Sequence, residues 1–444
     1  MCKDFYEVKP LENIKSDACV EICVPGSKSI TNRALLIAAM ANGESTLKGC
    51  LSSDDSTYFI ECLKMLGFKV ISQKNGLDYD ITISGCGGEI PNKKAEIYVG
   101  SAGTAARFLV AMLAFSDGEY TVNSSEQMKK RPMAPLIDSL RSAGAKVTCT
   151  EEEGHFPLII KGAGKEAVPE KIAVNIDKSS QFLSALLIAA STLEKEIEIE
   201  ATGSHGLSYV ELTLEMMKAF GSSPKVQAKG TCISYKFSGR ESFNAREYEI
   251  EPDMSAAAYF YALAAISGIR LSVKGVTSDM LQGDTQFLAV LQKMGCKLET
   301  NDKGYLEIIG TPGGKLKGGF TVDMSSFSDQ ALTLAAIAPF ADVPITITGI
   351  SHIRLQECDR INAIVQNLSD LGVKVIESSD GVTIYPSPPR GCEIQTFDDH
   401  RVAMSFALTG LKASGVRILN PDCCKKTFAQ YFDVLEDVIR KITL

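Results

Sequence analysis

VPGSKSITNRALLIAAM, residues 24–40, carries the reading that decides the fold. It passes from the end of an apolar run through a loop of small residues holding Lys28 into a helix of Ala, Leu and Ile. A nucleotide P-loop has glycine directly before its lysine and another five residues earlier, so that several backbone N–H groups face one phosphate chain. Ser27 stands before Lys28, and the P-loop reading fails. Strand, loop and helix start still suit an anion, because first-turn N–H groups lack intrahelical partners and carry partial positive charge.

The pattern returns along the chain. IYVGSAGTAARFLVAML, VNIDKSSQFLSALLIAA, EIEPDMSAAAYFYALAAI, TVDMSSFSDQALTLAAIA and IQTFDDHRVAMSFALTG each read as a β-type run, a small polar loop and an Ala- and Leu-rich helix. Their loops, near Ser27, Ser101, Ser179, Asp253, Ser328 and Asp399, lie about 71 to 78 residues apart. A second marker keeps step: LKMLGFKV, LRSAGAKV, MMKAFGSSPKV, LQKMGCKL and LSDLGVKV each pass from a helix end through glycine into a strand. Gly67, Gly144, Gly221, Gly295 and Gly372 are expected just past the helix C-cap, where a left-handed conformation is cheapest for glycine.

Six such units of roughly 74 residues are far longer than solenoid repeats, so three units per globular domain are expected. Two domains are also what 444 residues predict. The Ala-rich helices have almost no polar face and read as buried. With a loop at every start, three helix N-termini per domain converge on one face, and two domains facing each other would collect six.

Composition excludes several function classes. A net charge of −8 argues against a nucleic-acid surface, which needs a basic face. The N-terminal MCKDFYEVKPLENIK has no apolar signal segment and no run reaches membrane-spanning length, so a cytoplasmic protein without a membrane partner is expected. Its 13 Cys then read as reduced thiols. No C-x-x-C occurs and the four His, His155, His205, His352 and His400, are scattered, so no metal site is expected.

The loops differ in chemistry. The first three offer Lys28, Ser29 and Arg33, then Ser101, Gly103, Thr104 and Arg107, then Lys178, Ser179, Ser180 and Gln181. Any one of these cations alone reads as a solvated surface charge, and the paired serines as helix caps. Recurrence at equivalent repeat positions favours anion binding. The later loops bring carboxylates among cations: Asp329, Glu357 beside Arg360, Asp398 and Asp399 before His400 and Arg401, and Lys426. That mixture suits proton transfer in an anion site. The plain alternative for Glu357 is an ion pair with Arg360, three residues on, along one helix.

PGSKSITNRALL, GSAGTAARFL, KKRPMAPLIDSLRSAGAKV, KSSQFLSALL, EPDMSAAAYF, FSDQALT, QECDRI, DDHRVAMSFAL and KKTFAQYF, in this order, resemble the 5-enolpyruvylshikimate-3-phosphate synthase family of enolpyruvyl transferases from end to end. The resemblance implies an α/β fold, a two-domain inside-out α/β barrel of six βαβαββ repeats. One domain would be residues 27–250, the other 1–26 with 251–444. It implies transfer of the enolpyruvyl group of phosphoenolpyruvate to the 5-hydroxyl of shikimate 3-phosphate, by protonation of C3, attack at C2 and loss of phosphate from a tetrahedral ketal. It also implies a monomer that needs no metal or organic cofactor.

Matched by motif position, Asp329, Glu357 and Lys28 would be catalytic, Asp329 as base toward the hydroxyl and Glu357 as the acid at C3. Shikimate 3-phosphate would meet Lys28, Ser29, Arg33, Ser179, Ser180, Gln181, Tyr209, Asp329, His352 and Gln356. Phosphoenolpyruvate would meet Lys28, Gly103, Arg131, Gln181, Arg360, Arg401 and Lys426, a charge count suited to a phosphate and a carboxylate. Ser101, His352 and Gln356 depart from the family's usual residues, the last by removing a cation. The SHGL before Tyr209 also departs, leaving the family's phosphate-contacting serine there unassigned. The sister family, UDP-N-acetylglucosamine enolpyruvyl transferase, has Asn-Ala in the first loop and a reactive cysteine in a mobile loop, whereas EQMKKRPMAP, residues 126–135, has none. A non-catalytic anion-binding module on this fold would have lost Asp329, Glu357 or Lys426.

Overall fold

The computed structural model describes residues 4–444 apart from 16, 17, 204 and 231; Ser204, which opens the SHGL segment, is outside the described residues. The chain forms two compact units, Gly26–Ile250 and Met1–Pro25 with Glu251–Leu444. Helices alternate with mixed sheets throughout, an α/β protein.

In the unit Gly26–Ile250 the second repeat shows the plan. Lys94–Tyr98 lies parallel to Glu119–Asn123, and the helix Gly103–Phe115 makes the crossover that parallel neighbours require. After a further helix, Ala134–Ser142, the strands Lys146–Cys149 and Leu158–Lys161 complete the sheet antiparallel. The third repeat does the same around Gln181–Ala190, with Lys171–Asn175 parallel to Ile197–Thr202. In the first repeat, Asn42–Cys50 finds its parallel neighbour in Glu247–Glu249, at the far end of the unit.

The other unit shows the reciprocal arrangement. Cys19–Ile22 pairs in parallel with Arg270–Val273, beyond the helix Met254–Ser267. The strands preceding Lys28–Met40 and Met254–Ser267 have thus exchanged units, and the chain crosses at Pro25–Gly26 and Ile250–Glu251. The fifth repeat places Thr321–Asp323 parallel to Ile345–Thr348 around Ala331–Ile337. The sixth pairs Glu393–Ile394 with Arg417–Leu419 around His400–Gly410, and its third strand is Phe5–Glu7 from the N-terminus.

Alanine makes these crossover helices both stable and thin. Every residue of Gly103–Phe115 and Met254–Ser267 is buried, and Lys28–Met40 is buried from Ile30 onward. Sheets press close on the helix ends: a Cβ at Gly162 would lie 2.0 Å from the Ser116 carbonyl oxygen. Gly162→Ala is therefore expected to lower unfolding free energy by about 2–4 kcal/mol, since backbone must move to admit the methyl. Denaturant titration measures it, and an unchanged midpoint would show that the contact yields freely. The five expected cap glycines, Gly67, Gly144, Gly221, Gly295 and Gly372, have φ between +78 and +101 and follow the helix C-caps Leu66, Ala143, Phe220, Met294 and Leu371. Among the described residues no helix is long and apolar enough to cross a membrane.

Candidate active site

In the unit Gly26–Ile250 the second and third loops meet through Gln181, and the first reaches the helix Leu207–Ala219 through Arg33. Lys28 opens its helix behind the N-cap Ser27, and its ammonium lies 2.6 Å from the fully buried carboxylate of Asp55. One turn later Arg33, 2% exposed, gives Nε–H to Thr213 Oγ1 at 2.7 Å and its NH groups to the carbonyls of Ser29 and Tyr209, at 2.9 and 3.0 Å. These acceptors are neutral. Burial consequently pulls the guanidinium down to about 10, which the nearby Tyr209 only partly offsets. A cation held this way gains strongly from an arriving anion.

The second loop gathers more positive charge at one point. A Cβ built on Gly103, the first residue of its helix, would lie 2.5 Å from Arg131 Nη1 and 2.9 Å from Arg107 Nη1. Two guanidiniums thus converge on a helix N-terminus whose dipole has the same sign, the electrostatic signature of an anion site. Gln181 joins this loop to the third: its Oε1 accepts from Arg107 at 2.8 Å and its Nε2 donates to Thr104 Oγ1 at 3.2 Å. Ser179 Oγ accepts from the Gln181 N–H at 3.3 Å, whereas the N-cap residue, Ser180, makes no side-chain cap bond. Gly206, in SHGL, packs on Ser180, where a Cβ would come within 2.6 Å of Oγ. Tyr209 lies in the helix Leu207–Ala219 and reaches Arg33 through its carbonyl.

In the other unit the cations are already engaged by carboxylates. Asp329 sits in the 3-10 turn Ser328–Gln330, its Oδ1 accepting from Arg360 at 3.0 Å and its Oδ2 from Arg401 at 2.8 Å. Arg360, 1% exposed, also reaches Asp399 at 2.7 and 3.2 Å, Glu357 Oε2 at 3.0 Å and Gln356 Oε1. Lys426 Nζ lies 3.3 Å from Glu357 Oε1. Burial works against the charge on Arg360, yet Asp399, Glu357 and Asp329 outweigh it and hold the guanidinium above its ordinary value. Arg401 is raised likewise against burial, chiefly by Asp329. His352 Nε2 lies 2.8 Å from Ser328 Oγ, one residue before Asp329.

One reading of the sequence needs correction. Glu357 does pair with Arg360, but not along a helix: the 3-10 turn ends at Leu355, and the helix starts at Arg360 behind the N-cap Asp359. The intervening loop lets the carboxylate turn toward Lys426 as well. Sequence reasoning also gave no role to two acids that the structure makes central, Asp55 and Asp284, and counted a third, Asp399, only among the carboxylates of its loop. Asp55 belongs to SSDDS, a helix-start signal with no hint of Lys28. Asp399 caps His400–Gly410, accepting from the Arg401 N–H at 2.9 Å, a role the DDHR order allowed. Asp284 lies in no repeat loop, and nothing local marked it.

A family model described as EPSP synthase (3-phosphoshikimate 1-carboxyvinyltransferase) matches residues 13–435. A 3-phosphoshikimate 1-carboxyvinyltransferase of Trichormus variabilis is 43% identical over 426 residues, 95% of this chain and 96% of that one. One from Sulfurovum is 38% identical over 436 residues, 97% and 98% of the two chains. Among solved structures, EPSP synthase from Acinetobacter baumannii superposes with a TM-score of 0.78 at 25% identity, covering 98% of each chain.

Proposed function

This chain belongs to the EPSP synthase family, and from that premise we propose how its residues carry out the 3-phosphoshikimate 1-carboxyvinyltransferase reaction. It is a transferase of the shikimate pathway, serving aromatic amino-acid biosynthesis. It moves the carboxyvinyl group of phosphoenolpyruvate onto shikimate 3-phosphate and releases phosphate.

Asp329 and Glu357 divide the proton work, and the observation that carries this reading is Arg360 bridging the two, at 3.0 Å to each. Phosphoenolpyruvate brings a carboxylate and a phosphate, which compete with the acids for Arg360, Arg401 and Lys426. Positive charge drawn away from Glu357 raises its proton affinity and makes it an acid for C3. Asp329 accepts the proton of the attacking 5-hydroxyl. The tetrahedral adduct then returns a proton from its C3 methyl to the Glu357 carboxylate and expels phosphate from C2, which restores the double bond; the same cations, with Lys28, Arg131 and Gln181, stabilise the charge of the departing phosphate.

Shikimate 3-phosphate is held, on this reading, by Lys28, Ser29, Arg33, Ser179, Ser180, Gln181 and Tyr209, together with Asp329, His352 and Gln356. The buried Arg33, with only neutral acceptors, supports this assignment. Gln356 replaces a cation, and its contact with Arg360 gives it a part in orienting that guanidinium. We read the six repeats as an inside-out α/β barrel with three repeats in each domain, and the enzyme as a cytoplasmic monomer working without metal or organic cofactor.

The direct test is phosphate release from phosphoenolpyruvate that depends on shikimate 3-phosphate; its absence with folded protein overturns the reading. Gly103→Ala probes the pocket. The methyl strikes the flexible end of Arg131, so stability is expected to hold while KM for phosphoenolpyruvate rises about tenfold or more, the worth of one displaced charged hydrogen bond. Steady-state kinetics with a melting curve checks both, and an unchanged KM removes Arg131 from the binding set.

A further inference from the structure

Asp284 belongs to the short turn Gly283–Thr285, outside the six repeat loops, and is buried. Its Oδ2 accepts from Ser255 Oγ, at the start of Met254–Ser267, and from Gln330 Nε2 at 3.1 Å. Gln330 directly follows Asp329 in the turn Ser328–Gln330, and its Oε1 accepts from Thr333 Oγ1 at 3.1 Å. One carboxylate therefore ties the helix start of the fourth repeat to the turn that carries Asp329. The other oxygen, Oδ1, is buried without a hydrogen-bond partner among the described residues.

A carboxylate that served only as a brace would be replaceable by an amide, which accepts the same two bonds without the cost of burying a charge. The charged groups facing Asp284 give it a second role. Asp329 faces it from the Ser328–Gln330 turn, and Arg401 faces it from the helix His400–Gly410. Arg401 also feels Tyr259 and Asp253, from the Met254–Ser267 helix and its cap. Burial first, and then Asp329, push the Asp284 carboxyl up to about 6, with Arg401 and the two hydrogen bonds opposing. The coupling is mutual: an ionised Asp284 makes Asp329 hold a proton more tightly.

We propose that Asp284 is a positioning residue for the carboxyvinyl transfer, fixing the Asp329 turn through Gln330 and strengthening Asp329 as a base by its own negative charge. The proposal rests on Asp329 being the proton acceptor. When Asp284 takes up a proton, Asp329 becomes a weaker base. Turnover then falls, because Asp284 acts on the reaction through Asp329.

The experiment is the pH profile of kcat and KM for the wild-type protein, Asp284→Asn, Ser255→Ala and Asp329→Asn, with circular dichroism on each preparation. Substrate phosphate groups titrate alike for all four, so differences belong to the protein. The wild type is expected to lose about three- to tenfold in kcat as pH falls through the region near 6, the leverage of a roughly one-unit change in base strength. Asp284→Asn is expected to run at the lower rate with that fall absent. A merely structural role predicts a lower rate with the fall intact, and that result overturns the proposal, as does a profile identical to wild type. Should Asp284→Asn not fold, Ser255→Ala decides. Losing a bond to the charged carboxylate moves the fall to higher pH, and an unmoved profile overturns the proposal. Near-normal turnover by Asp329→Asn instead removes the reading on which the proposal stands, whatever Asp284 does.

Discussion

Glu357→Gln is expected to fold and bind both substrates yet turn over about 10² to 10⁴ times more slowly, the range general acid catalysis supplies. Glutamine keeps the shape and can still accept from Arg360, but it has no proton for C3. The wild-type carboxylate lies between Arg360 at 3.0 Å and Lys426 at 3.3 Å, with 8% of its side chain exposed. On the proposed mechanism, phosphoenolpyruvate competes with this carboxylate for the two cations, and the acid is made only as it arrives. Turnover and melting temperature on one preparation separate this from a structural role. Near-wild-type turnover with a lowered melting point makes Glu357 a counter-ion only and leaves Lys28 or Asp329 as the proton donor to test.

Arg360→Gln is expected to cost about 3–5 kcal/mol in unfolding free energy, the usual price of leaving a buried charge unpaired. The Asp399 carboxylate is fully buried and takes two of the guanidinium's hydrogen bonds, while Asp329 and Glu357 each take another. Without Arg360 the buried Asp399 carboxylate loses the cation that takes two of its hydrogen bonds. Denaturant titration against wild type measures the loss, and a deficit under about 1 kcal/mol would show that the buried acids do not depend on this guanidinium.

Much of the molecule follows from rules that act within a few residues. The loop-to-helix pattern of VPGSKSITNRALLIAAM and its five echoes located every crossover helix, because Ala-rich runs without a polar face favour buried helix whatever surrounds them. The five cap glycines were legible for a similar reason: only glycine enters the left-handed region cheaply, so its place after an apolar run marks a helix end. The resemblance, carried by ordered motifs, gave the family and reaction. What stayed hidden lies between distant parts of the chain. Nothing near Lys28 names Asp55 as its partner, nothing near Gly103 says that Arg131 crowds it, and no local pattern joins Asp284 to Gln330 across 46 residues. The sequence placed Glu357 three residues before Arg360, which fits a helix, but the cap at Asp359 broke the helix and turned that carboxylate to Lys426. Secondary structure obeys local sterics and periodicity, so one sequence suffices to read it. A charge answers to every group within several ångströms and to its depth from water, and those are set only when repeats far apart in the chain have packed together.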